Sequence, residues 1–258
     1  MKKIIVIPVA RGESDYLKIT LPYYNRIHDI KKLYSVEEDA RVEKVILERY
    51  SENSTIITHK SRNWSNPCAD NFHYTITYAF QQLGADVVYA FACDLIPDER
   101  VFFRDYWNKY DIVSFRYWNN SIKVGVLFKL REQYDNILKK ILTKFGRTEH
   151  HTGVYALKKR VWEKVQLRDV PSEYDDFLRR CINAGFKHHH ELDSRIIHLR
   201  AGYGITRQYL QGFARRQLGY PLWKVLGHAV IHLKPYVLKG YLIDKDGYYF
   251  HKLVWKKQ

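Results

Sequence analysis

Short β-branched runs alternate with amphipathic stretches through the first hundred positions. Residues 3–9 (KIIVIPV) are apolar on both alternating faces and predict a buried strand, with a turn over 8–12. Residues 14–32 predict a helix, because Leu17, Leu21, Tyr24, Ile27 and Ile30 fall on one stripe. The β-branched content of 42–49 and 55–59 predicts the next two strands. Residues 67–83 predict a helix, with Phe72, Ile76 and Phe80 four apart. A third buried strand is expected over 86–92 (DVVYAFA), ending at Cys93-Asp94. Strands interleaved with helices in this way predict an α/β fold with a mostly parallel, doubly wound, Rossmann-like sheet flanked by helices.

The second half is less regular. Helices are expected over 99–110 and 132–145, and strands over 111–117 and 123–129. A strand over 153–157 leads into a short helix over 158–164. A helix over 172–184 stops at Gly185, and a last strand runs over 195–199. From Ile205 onward the pattern is helical, aromatic and basic. The expected organisation is one catalytic domain over 1–202, in halves 1–98 and 99–202, followed by a C-terminal helical extension over 203–258.

Charge narrows the partners without choosing one. The chain has 43 Lys and Arg against 28 Asp and Glu, a net +15, which favours polyanions: nucleic acid, anionic lipid headgroups or nucleoside diphosphates. Cys68, Cys93 and Cys181 are far apart and match neither a zinc site nor a disulfide framework, so a reduced, cytoplasmic setting is expected. The apolar run after Lys2 and Lys3 is too short for a secretory signal, and no run approaches the ~20 apolar residues of a membrane span.

Three constellations could carry chemistry. Asp94 follows an apolar strand, and ligands of parallel sheets gather at carboxyl strand ends. A carboxylate there could hold Mg²⁺ or Mn²⁺ bridging two phosphates; it could equally cap a following helix. The acids Glu173, Asp175 and Asp176 suit a helix N-terminus, with Ser172 and Asp175 spaced as a capping box, yet three carboxylates in four residues exceed what a cap needs. One of them could take the proton of an attacking hydroxyl. His198 ends an apolar run, where an imidazole could be a metal ligand or a hydrogen-bonded structural group. The three consecutive histidines at 188–190 lie on an alternating strand, so they cannot all converge on one ion. His150 and His151 precede the strand at 153 and could meet an acceptor or simply occupy a surface loop.

The order of these pieces resembles the family 2 glycosyltransferases, inverting enzymes of the GT-A fold. The resemblance rests on the opening IIVIPVARGESDYLKITLPYY, strand-Asp94, GVYALKKRVWEKV, the acid cluster with Arg180 and Gly185, His198, and the ending LKGYLIDKDGYYFHKLVWKK. It implies a nucleotide-diphospho-sugar donor, with Pro8, Ala10 and Glu13 in the loop around the base and Glu48 as a base-binding acid. It also implies that Arg62 and Asp70 touch base or phosphate, and that Cys93 and Asp94 lie against the donor. Asp94 matches the second Asp of the Asp-x-Asp metal motif, while Ala92 stands where the first would be. His198 matches the His that completes Mn²⁺ or Mg²⁺ binding. The base is expected at Asp175, then Asp176, then Glu173.

The processive-synthase signature is absent, since Gln211 is followed by GFARR, which predicts one transfer per acceptor. The tail implies a glycan or lipid-linked, cell-envelope acceptor. Residues 220–237, apolar and flanked by lysines, could rest on an anionic membrane from the cytoplasmic side or pack on the catalytic domain. The competing classes are a basic nucleic-acid-binding protein, which has no recognisable binding motif here, and a nucleotide-sugar-binding relative without turnover, prompted by Ala92.

Overall fold

The computed structural model describes residues 1–60, 62, 66–122, 126–144, 154–170, 173–200, 205–217 and 219–243. Among them, strands β1 (Lys3–Val9), β2 (Lys31–Glu37), β3 (Ser54–His59), β4 (Val87–Ala90), β5 (Leu95–Ile96), β6 (Ile112–Asn119), β7 (Tyr155–Lys158) and β8 (His188–His198) form one sheet in the order β3-β2-β1-β4-β7-β6-β8-β5. The run β3-β2-β1-β4 is parallel, as is the β6–β8 pair. Only β7 and β5 run against the rest, β7 between β4 and β6, and β5 along the edge of β8. The helices are α1 (Ser14–Asn25), α2 (Arg41–Tyr50), α3 (Pro67–Gln81), α4 (Arg100–Phe103), α5 (Val126–Lys144), α6 (Lys159–Lys164), α7 (Glu173–Asn183), α8 (Ile205–Gln217), α9 (Leu222–Ile231) and α10 (Pro235–Ile243). The expected α/β architecture, with a mostly parallel sheet flanked by helices, is what the chain forms.

The period of two along the central strands builds both cores. Ile5, Ile7 and Val9 of β1 and Tyr89 of β4 face α1 and α2, meeting Leu17, Leu21, Tyr24 and Leu47. Ile4, Val6, Val88 and Ala90 face the other way, against Phe72 and Ile76 of α3, Trp162 of α6 and Phe177 of α7. Each large apolar side chain buried this way contributes roughly 1.5–3 kcal/mol. A sheet covered on both faces explains why β1 and β4 read as continuous apolar runs.

Several boundaries differ from expectation. The helix expected over 14–32 ends at Asn25, and Lys31–Glu37 is a strand inserted between β1 and β3. Residues 42–49 form helix α2 rather than a strand. Their buried positions, Glu43, Ile46 and Leu47, are spaced for a helix, while Val42 and Val45 are exposed. The helix expected over 99–110 is limited to Arg100–Phe103. Of the strand expected over 123–129, residues 126–129 instead open helix α5, and 123–125 lie outside the described residues. The final strand begins at His188, well before 195.

Helices α8 and α10 cross at two glycines. A Cβ added to Gly212 would lie 2.0 Å from the Val237 carbonyl oxygen, and one added to Gly240 would lie 2.2 Å from that of Tyr209. Only glycine lets these backbones approach so closely. Beyond Arg200, residues 201–204, 218 and 244–258 lie outside the described residues. Among the described residues, no helix is long and apolar enough to cross a membrane.

Candidate functional site

The carboxyl ends of β1, β4 and β8 converge because β5 folds the chain back. After β4, Leu95 N–H donates to the Ala92 carbonyl at 3.2 Å, closing a turn over Ala92–Asp94. Helix α1 holds that turn, with the Thr20 hydroxyl donating to the Cys93 carbonyl at 2.9 Å. The antiparallel register then sets Leu95 opposite His198 and Ile96 opposite Ile197. Asp94 therefore sits beside Leu199, whose N–H donates to the Asp94 carbonyl at 2.9 Å.

A buried ionic cluster results. Asp94 Oδ2 and Arg200 Nε form an ion pair at 2.7 Å, and the Arg200 guanidinium also bonds the Glu13 carboxylate. The second Glu13 oxygen accepts from the Ala10 N–H at 2.8 Å and from the Cys93 thiol at 2.8 Å. Burial, and then the neighbouring Glu13 and Asp94 carboxylates, push the Cys93 thiol up, so it stays a donor. His198 Nε2 lies 3.4 Å from Asp94 Oδ2, its Nδ1 lies 3.2 Å from Asn119 Oδ1, and its ring stands edge-on to Tyr117. The Tyr16 ring lies under the Arg200 guanidinium, 5.2 Å from its centre. Glu43 of α2 fixes the loop before α1, accepting from the N–H groups of Gly12 and Ser14 at 3.1 Å each.

Asp94 and His198, the expected ligands of Mn²⁺ or Mg²⁺, thus come together, but the position beside the carboxylate holds a guanidinium. Ala92 removes the second carboxylate of the turn. Among the described residues, no group of three or more His, Cys, Asp and Glu side chains could hold a metal ion. Hard divalent cations need several oxygen ligands. As they stand, these residues do not fit one.

A second charged set lies at the start of α3. Buried Asp70 accepts from the Arg62 backbone N–H at 2.8 Å and from its guanidinium at 2.5 Å, and lies 3.3 Å from His59. Burial alone would raise its carboxyl; the two Arg62 hydrogen bonds outweigh that and hold it low. Arg62 and Asp70 are therefore partners of each other. Glu48 stands on the exposed face of α2, 3.9 Å from Lys44, and no described contact joins it to the Glu13–Asp94 cluster. The strand expected to present it is a helix, which turns it outward.

The three acids of α7 have different surroundings. Asp176 is clamped by Arg168 and by Arg180 Nε at 2.8 Å; burial opposes its charge, but the arginines hold its carboxyl low. Glu173 accepts from Asn66 Nδ2 at 2.8 Å, and Asn66 caps α3 through the Ala69 N–H. Asp175 is half-buried, and its carboxyl is pushed up to about 6 by burial, against the opposing charges of Arg215 and Arg179. Cys68, in the first turn of α3, is exposed, yet the protein around its thiol pushes it up, helped by Glu173, Glu13 and Asp94 and opposed by Arg200.

Glu13, Ala10, Cys93, Asp94 and His198 are therefore gathered at one place, with Pro8 on the strand leading into it. The histidines divide by parity: His188 and His190 both reach Ser114 Oγ, at 2.8 and 2.7 Å, while His189 stacks on Tyr110. Ser172, His150 and His151 lie outside the described residues. Arg200, Tyr16, Asn119, Asn66 and Glu43 are additions.

No family model and no curated protein matches the sequence. Solved structures do match the fold. Glucosyl-3-phosphoglycerate synthase from Mycobacterium tuberculosis, in complex with Mn²⁺, UDP-glucose and phosphoglyceric acid, superposes with a TM-score of 0.50 at 12% identity, covering 85% of this chain and 80% of that one. Residues 1–349 of S. aureus TarS superpose with a TM-score of 0.50 at 9% identity, covering 96% and 74%. Against a longer TarS structure the TM-score is 0.51 at 11% identity, and the match spans 95% of this chain but 44% of TarS. The chain has the GT-A fold, the fold of nucleotide-sugar glycosyltransferases.

Proposed function

We propose that this protein is an inverting, non-processive glycosyltransferase that moves a sugar, a hexose by our reading, from a nucleotide-diphospho-sugar to an acceptor hydroxyl. The observation that carries the reading is the cluster of Glu13, Cys93, Asp94, His198 and Arg200 at the carboxyl ends of β1, β4 and β8, where ligands of such sheets bind. The base lies by the loop of Pro8, Ala10 and Glu13, with the Arg62–Asp70 pair at its edge. Asp175 is the general base. Its carboxyl near 6 is ionised at neutral pH yet basic enough to receive a proton. It takes the hydrogen of the acceptor hydroxyl as that oxygen bonds to the anomeric carbon. The bond to the diphosphate oxygen breaks on the opposite face, and the nucleoside diphosphate leaves with the electron pair. Asp176, clamped by two arginines, is a positioning residue for α7, and Glu173 holds α7 to the cap of α3.

The acceptor in this reading is a glycan, lipid-linked or of the cell envelope, met at an anionic membrane surface on the cytoplasmic side. Supporting it, Trp223 and Val230 of α9 are 69% and 65% exposed, and Leu130 and Ile137 of α5 are each 57% exposed. The two helices are joined by the Tyr134 hydroxyl, which donates to the Ile231 carbonyl at 2.9 Å. Trp223→Glu should release the protein from phosphatidylglycerol vesicles; retention equal to wild type would remove the membrane from the account.

The test of the reaction is release of nucleoside diphosphate from a panel of nucleotide sugars, with and without oligosaccharide and lipid-linked acceptors. Release by wild type and its loss in Asp94→Ala support the reading. Absence of both release and binding across the panel, with tight binding of DNA or RNA, would replace it by the nucleic-acid alternative. Binding without release would favour a relative without turnover.

A further inference from the structure

We propose that Arg200 supplies at this site the positive charge that a divalent cation would supply to the donor diphosphate, so that this chain binds nucleoside diphosphates without metal. The inference rests on the nucleotide-sugar reading and goes beyond it by assigning the group that meets the phosphates.

Three observations carry it. First, the guanidinium occupies the carboxylate that a cation would need: Nε is 2.7 Å from Asp94 Oδ2, and Nη2 bonds Glu13. Two acids from different loops thus hold one arginine in a fixed plane, and Tyr16 packs against its face. A guanidinium held this way meets phosphate oxygens through paired N–H donors and remains charged at any working pH. Second, the turn is one carboxylate short. Ala92 leaves Asp94 as its sole carboxylate, and no described group of three ligating side chains surrounds the position. A cation entering between Asp94 and His198 would displace the Asp94–Arg200 pair and then face the arginine's like charge. Third, the arginine is anchored from behind. The Leu199 N–H bonds the Asp94 carbonyl at 2.9 Å, so the segment carrying Arg200 is fixed to the turn carrying its partner. Charge held rigidly in place needs no reorganisation as negative charge builds on a leaving diphosphate.

The experiment is calorimetric titration of the full chain with UDP, GDP, CDP and ADP, in EDTA and again in Mn²⁺. The expected result is that at least one of them binds in EDTA, with affinity changed by no more than about threefold in Mn²⁺. Arg200→Ala should weaken that binding at least about tenfold, and Arg200→Lys should restore part of it as charge without the paired donors. Binding that appears only with Mn²⁺ overturns the proposal and leaves the glycosyltransferase reading standing. Unchanged binding by folded Arg200→Ala in EDTA overturns it too. No binding of any of the four in either condition overturns both. If Arg200→Ala does not fold, the wild-type comparison in EDTA and Mn²⁺ still decides.

Discussion

Leu95 lies opposite His198 in the register of β5 and β8, and this pairing draws Asp94 against Arg200. A two-residue strand, too short to read as an element, joins the turn after β4 to the end of β8. The ionic cluster depends on it.

Asp94→Ala tests how firmly that cluster is built. Asp94 is 3% exposed and pairs with a half-buried arginine, and removing one partner leaves the other charge poorly compensated. The expected loss is about 1–3 kcal/mol, read from denaturant midpoints at constant m-value. A loss below a few tenths would mean that the pair contributes little.

Asp175→Asn is expected to keep donor binding and to lower transfer about 10²–10⁴-fold, the usual contribution of a general base. In the wild type, kcat/KM should rise with pH through about 6, as this carboxyl ionises, and the variant should lose that limb. Stability runs the other way. The folded value lies above the ordinary 3.8, so the native state binds the proton more tightly. Stability from this group is therefore full below the ordinary value and falls as pH rises through about 6. Asp175→Asn should melt higher relative to wild type at pH 8 than at pH 4.

Asp176→Asn should behave oppositely. Its carboxyl is held low by Arg168 and Arg180, so its stabilisation is present above the ordinary carboxylate range and is lost as pH falls through the folded value. The expected cost at pH 7 is about 1–3 kcal/mol, shrinking in acid, with the pH profile of transfer unmoved. A displaced pH profile in Asp176→Asn with an intact one in Asp175→Asn would move the base by one residue.

Legibility followed the length over which a pattern repeats. β1 and β4 were plain because Ile4 to Val9 and Val87 to Ala90 are buried on both faces. Val42 and Val45 pointed to a strand because their β-branched side chains are frequent in strands, but here they decorate the outside of α2. The strand Lys31–Glu37 was missed: its first two residues fell in the preceding helix because Ile27 and Ile30 continue that helix's apolar stripe past Asn25, and 33–37 were assigned to no element. Within the site, Asp94 and His198 could be picked out because each ends or follows an apolar run, and Glu13 and Cys93 only through the family resemblance. Arg200, the partner of Glu13 and Asp94, could not, because its role depends on which strand lies beside β5. Glu48 went astray with the strand that became α2.

Gly212→Ala should uncouple the C-terminal helices, because the added methyl would lie 2.0 Å from a backbone oxygen that cannot rotate away. Faster hydrogen exchange confined to α8 and α10, with α3 and the sheet unchanged, is the expected signature. Exchange rates equal to wild type would contradict the close crossing.

The most direct measurement of the central claim is a thermal-shift panel of nucleotide sugars on wild type and on Asp94→Ala. At a hundred times its dissociation constant, a true donor should stabilise the wild type by about 2.7 kcal/mol, and the variant by much less. Equal shifts in both proteins would place the donor elsewhere. No shift with any nucleotide sugar at millimolar concentration would contradict the claim that the Glu13–Asp94–Arg200 cluster is a donor site.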